Sequence, residues 1–133
     1  MKTKTIAISI LVTAILIAGT IILVSGNKSS NGATSQAANN VSTVDGKQVI
    51  NIDAKGGYSP RITTAKAGVP TIIKVNTHGT FDCSSSLVIP SLGYRSNLSP
   101  SGETNIDVPP QKTGSKLQGL CSMGMYNFTI NFN

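Results

Sequence analysis

Tryptophan is missing from the 133 residues, histidine occurs once, and cysteine occurs twice. Acidic side chains number 5 against 11 Lys and Arg, a formal charge of +6. Each shortage removes a class of function. One His and two Cys cannot complete a tetrahedral Cys/His zinc site. Two Cys cannot make a disulfide-dense scaffold. A lone His78 without paired carboxylates leaves little for acid–base catalysis. Asp82 and Glu103 have no carboxylate partner nearby in the sequence, and no phosphate loop or HExxH motif occurs. The chain is therefore not expected to be an enzyme. The basic residues are scattered and lack interleaved aromatics, so nucleic acid is not an expected partner. Beyond Met1, sulfur is confined to Cys83, Cys121, Met123 and Met125.

What is present falls into three parts. Lys2 and Lys4 precede an uncharged stretch in which Ile6 to Val24 is almost wholly apolar. About 20 such residues cross a bilayer core. The run exceeds a signal-peptide apolar region of roughly 7–15 residues, and no clear cleavage site follows. Residues 5–25 are thus expected to be an uncleaved single-pass anchor. Residues 26–46 are rich in Ser, Asn, Gly, Ala and Thr, and read as a flexible tether. Residues 47–133 form the folded domain, large enough for one core.

The periodicity after residue 47 is two rather than 3.6. Tyr126, Phe128, Ile130 and Phe132 alternate with Asn127, Thr129, Asn131 and Asn133, which describes a half-buried strand. Ile106 and Val108 alternate with polar neighbours before Pro109-Pro110 ends the run. Thr71 to Asn76 and Gln48 to Ile52 are further strand candidates. Gly56-Gly57 and Ala67 to Pro70 supply turns. Many short strands with Gly and Pro turns predict an all-β Greek-key sandwich or barrel.

Cys121-Ser-Met123-Gly-Met125 stands just before the last strand. Thiolates and thioethers are soft donors, and soft donors select copper(I). Met123 and Met125 could instead fill gaps in a core. Continuing the last strand's alternation backward puts even numbers inward, so Cys121, Met123 and Met125 fall on the polar side. Gly124 between the two Met fits a turn that directs both thioethers to one place. Two Cys 38 positions apart in a small β domain also fit a disulfide. The Met pair favours two reduced thiolates sharing a metal. Both forms need the sulfurs close together. His78 reads as an ordinary loop residue.

These residues resemble a family. YSPRITTAKAGVPTIIKVNT, DCSSSLVIPSLG, SGETNIDVPP and KTGSKLQGLCSMGMYNFTINF follow one another as in the cupredoxin fold. The spacing of one Cys followed much later by C-x-M-x-M is similar to the bacterial cupredoxin-like copper(I) domains. These occur in membrane-anchored copper chaperones and in the N-terminal domain of copper-exporting P-type ATPases. Blue-copper cupredoxins use two His, a Cys and usually a Met. Here Cys83 stands where the first His is expected and no His follows Cys121, which argues against an electron-transfer site.

The resemblance implies a two-copper(I) cluster. Cys83 and Cys121 would hold the tighter ion; Met123 and Met125, with a bridging Cys121 sulfur, would hold a weaker one. It also implies delivery to a copper-exporting P-type ATPase for copper resistance, and a domain facing the cytoplasm. The Lys distribution around the anchor favours the opposite orientation. Paired thiolates persist only in a reducing compartment, which supports the cytoplasmic side. The rival expectation is an extracellular, disulfide-bonded β-sandwich for adhesion or envelope contacts, without metal.

Overall fold

The computed structural model describes residues 39–133. The expected anchor, 5–25, and most of the expected tether, 26–46, lie outside the described residues. Among the described residues no helix is long and apolar enough to cross a membrane.

The strands are β1 (Val41–Val44), β2 (Lys47–Ala54), β3 (Tyr58–Ser59), β4 (Ile62–Ala65), β5 (Thr71–His78), β6 (Ser86–Ile89), β7 (Tyr94–Asn97), β8 (Ser101–Val108), β9 (Lys116–Cys121) and β10 (Asn127–Phe132). They make two five-stranded sheets. The first runs β1-β2-β5-β8, with β3 added to β2; the second runs β4-β10-β9-β6-β7. Each sheet holds one parallel pair, β2 with β5 and β10 with β4. This is the all-β sandwich that the period-two patterning predicts.

The alternation explains the packing. Ile50, Ile52, Ile73 and Val75 face inward from the first sheet. Leu87, Leu117, Phe128, Ile130 and Phe132 face them from the second. Strands with one apolar face are stable only when that face is covered, which is why two sheets close on each other.

One expected boundary shifts. Val41–Val44, inside the segment expected to be a tether, forms β1 and pairs with β2. Its composition offers little to bury. Asp45-Gly46, both with positive φ, instead forms the two-residue turn that favours a tight hairpin. Asn40 extends the attachment: its side chain donates to the Asn51 carbonyl and to Thr63 Oγ1, each at 2.9 Å.

The registers gather many strand ends at one pole of the sandwich. In the first sheet β2 and β5 end there and β8 begins, with His78 opposite Ser101. In the second sheet β9 and β7 end there while β6 and β10 begin. All four sulfur residues beyond Met1 belong to segments at this pole.

Candidate metal centre

Cys83 opens a 3-10 turn, Cys83–Ser85, between β5 and β6. Asp82 caps it. The Asp82 carboxylate accepts from the Ser84 backbone N–H at 2.8 Å and from the Ser84 hydroxyl. Its other oxygen accepts from Gly56 N–H at 2.9 Å. The Ser84 hydroxyl, then the Gly56 and Ser84 N–H groups, hold this carboxyl below its ordinary pKa range. The Tyr58 hydroxyl donates to the Ser84 carbonyl at 3.0 Å. Burial, and then the Asp82 charge, raise the Tyr58 phenol above its usual range and keep it a donor. The β2–β3 connection thus grips the turn that carries Cys83.

Cys121 ends β9, fully buried and opposite Leu87 on β6. Its sulfur accepts a hydrogen bond from Tyr126 N–H at 3.4 Å. Its backbone closes the turn that follows. Cys121 N–H donates to the Tyr126 carbonyl at 3.0 Å, and Gly124 N–H donates to the Cys121 carbonyl at 2.8 Å. Gly124 sits at φ +70°, where a side chain is disfavoured. An N–H aimed at sulfur stabilises a thiolate more than a thiol.

The structure brings Cys83 and Cys121 together, with Cα atoms 5.7 Å apart. It joins them as a disulfide, where two thiolates are expected from the sequence. Met123 and Met125 occupy the turn after Cys121 and are 76% and 63% exposed. Exposed thioethers agree with the expected polar side; the burial of Cys121 does not. The turn at 122–126 resets the alternation, so odd residues face inward on β9 and even ones on β10. His78 ends β5, exposed.

Among the described residues, no group of three or more His, Cys, Asp or Glu is placed to hold a metal ion. Met123 and Met125 are the other soft donors at this pole. Asp82, Tyr58 and the Tyr126 N–H were not singled out as parts of the centre by the sequence. Only Asp82 left a signal, an Asp two positions before Ser84 in the pattern of a side-chain-capped turn.

A family model, the cupredoxin-like domain, matches residues 14–131. The chain belongs to that family. Among curated proteins, none matches this cupredoxin-like chain. Solved structures share its fold. One is the metal binding domain of the Streptococcus pneumoniae D39 Cu(I) exporting P-type ATPase CopA with Cu(I). It is 23% identical, with a TM-score of 0.62 over 70% of this chain and 92% of that one. Another is a copper binding protein in the apo form, by NMR, 24% identical with a TM-score of 0.63. That match covers 70% of this chain and 94% of the other.

Proposed function

We propose that this cupredoxin-like chain is a membrane-tethered copper(I) chaperone. Copper(I) is its cargo. In the reduced protein Cys83 and Cys121 hold the tighter ion, and Met123 and Met125, sharing the Cys121 sulfur, hold a weaker one. The cargo passes to a copper-exporting P-type ATPase as incoming sulfur ligands replace outgoing ones in turn. A tether that keeps donor and acceptor in one membrane raises their effective concentration. The domain faces the cytoplasm, where thiols stay reduced.

The observation that carries this proposal is the meeting of Cys83 and Cys121 beside an exposed two-methionine turn. Exposed methionines have no packing role, whereas thioethers beside thiolates are a soft ligand set. Burial of the donors rises from the Met turn to Cys121, and in the reduced protein a thiolate there would add charge, which suits entry at the thioethers and retention at the thiolates. Likeness to copper-binding domains adds support for a copper role. The disulfide must first take up two electrons and two protons to become a thiol pair.

Copper(I) titration of the reduced full-length chain against a competing chelator tests this. The expected result is unequal sites, with tight binding lost in Cys83→Ser and in Cys121→Ser. Tight binding that survives in both variants overturns it. So does the absence of free thiols in protein taken directly from cells, which would favour the disulfide-bonded envelope protein.

A further inference from the structure

Beside the sulfur pole lies a groove of about 400 Å³, walled by Lys55, Gly57, Arg61, Met125 and Tyr126 among others. Its size falls in the range of small-molecule sites, about 300–1,000 Å³. Lys55 and Arg61 are its charged side chains, and no carboxylate lines it. Neither cation takes part in an ion pair among the described residues, where the pair found joins Lys74 to Glu103 at 3.1 Å.

Both walls are tied to the proposed ligands. Gly56, on one wall, donates its N–H to Asp82, the neighbour of Cys83, at 2.9 Å. Tyr126, on the other, donates its N–H to the Cys121 sulfur at 3.4 Å. The Asp82 carboxylate does not line the groove, and its oxygens accept from Gly56 and Ser84 donors. Met125 belongs to the groove and to the sulfur turn at once. An anion held by Lys55 and Arg61 therefore rests within reach of the place where copper would enter.

We infer that this groove binds the carboxylates of a small anionic thiol, of short-peptide size, that carries copper(I) as its thiolate complex. The inference rests on the copper(I) function proposed above. Arg61 offers a planar fork matched to a carboxylate, and Lys55 adds a mobile point charge. A soft cation travels with soft ligands, so its carrier has to bring sulfur as well as charge. In the transfer, a cysteine sulfur bonds to copper as the carrier's thiolate leaves. The cysteine proton passes to the departing thiolate, copper remains +1, and no electron moves.

The test loads the reduced full-length chain from two donors. One is copper(I) bound by glutathione, which has carboxylates; the other is copper(I) in acetonitrile, which has none. In Lys55→Glu/Arg61→Glu, loading from the glutathione complex is expected to slow about tenfold or more, while acetonitrile loading stays within about twofold. Added salt should slow only the glutathione route of the unaltered chain. A second arm needs no copper. S-methylglutathione, which keeps the carboxylates but has no free thiol, should shift the Gly57, Arg61 and Asn127 amide resonances of the unaltered chain and not of the charge-reversed one. Equal slowing from both donors, or no slowing, overturns the inference, as does an absence of shifts. So does a charge reversal that spares glutathione loading but weakens docking to an acidic protein partner. Failure of the copper function looks different: neither donor loads the unaltered chain, while the S-methylglutathione shifts still report on the groove.

Discussion

Gly119→Ala adds one methyl group where there is no room for it. Gly119 is buried on β9 and lies opposite Phe128 on β10. A β-carbon at this position overlaps the edge of the Phe128 ring. The ring cannot easily swing away, because it is fully buried and packs edge-to-face on Tyr58, with centroids 5.3 Å apart and planes at 74°. The Gly119 backbone does not demand glycine, since its φ lies outside the left-handed region. Alanine alone would then stabilise by about 0.4–1 kcal/mol through the unfolded chain. Overpacking costs about 1–3 kcal/mol, and the fixed ring puts this site toward the upper end. The net expectation is a loss of about 1–2 kcal/mol, a fall in Tm of roughly 5–15 °C for a domain of this size. In a Phe128→Leu background the obstacle is gone, and the same alanine should cost about nothing or stabilise slightly. Urea unfolding of the four proteins in the cycle measures the coupling, expected near 2 kcal/mol, within the range of about 0.5–3 for touching residues. An equal loss in both backgrounds would refute the steric explanation and point to the backbone instead.

Tyr58→Phe keeps the ring and removes the donor to the Ser84 carbonyl. Leaving that buried acceptor unpaired should cost about 1–3 kcal/mol in urea unfolding, and unchanged stability would mean the bond contributes nothing. Asp82 has a depressed pKa, so the stability it adds is full above the ordinary carboxylate value and is lost as pH falls through its lower folded value. Urea midpoints measured across the acid range should therefore fall less steeply in Asp82→Asn than in the parent below about pH 4, and superimposable curves would sink the assignment. Met123→Ala/Met125→Ala should leave thermal stability within about 0.5 kcal/mol, as expected for exposed sites, while removing the weaker copper(I) equivalent in a chelator titration. Loss of the tight equivalent instead would mean that the thioethers are primary ligands.

The strands with one clean apolar face were legible in the sequence. β10 follows its period of two from Phe128 to Phe132, and β8 follows it through Ile106 and Val108. β1 was hidden because its pairing is a backbone matter: Ser42, Thr43 and Val44 are exposed, so no burial pattern marks them. Its turn, Asp45-Gly46, was the readable sign. Cys121 was assigned to the wrong face because alternation was carried across a turn, and a hairpin fixes its own register. The sulfur motif was visible as composition and spacing. What holds the Cys83 turn was only partly so: the Asp82 cap is local, but Gly56 and Tyr58 reach Asp82 and Ser84 through bonds spanning 26 residues. Sequence spacing carries no trace of such contacts.

The grip on Cys83 has a consequence for how a ligand would be released. The Asp82 cap, the Gly56 and Tyr58 bonds and the Tyr126 N–H on Cys121 are all internal to the fold. In the reduced protein these bonds would hold the two cysteine segments before any ligand arrives, so part of the entropy of fixing the sulfurs would be met when the chain folds. Loading should bury little new apolar surface and carry only a small change in heat capacity. It should also leave amide-exchange protection at the pole nearly unaltered. Under the proposed copper(I) function, sulfurs held in this way would give up an ion without local unfolding. The pace of handover would then be set by sulfur exchanging for sulfur, a chemical step, rather than by a conformational gate.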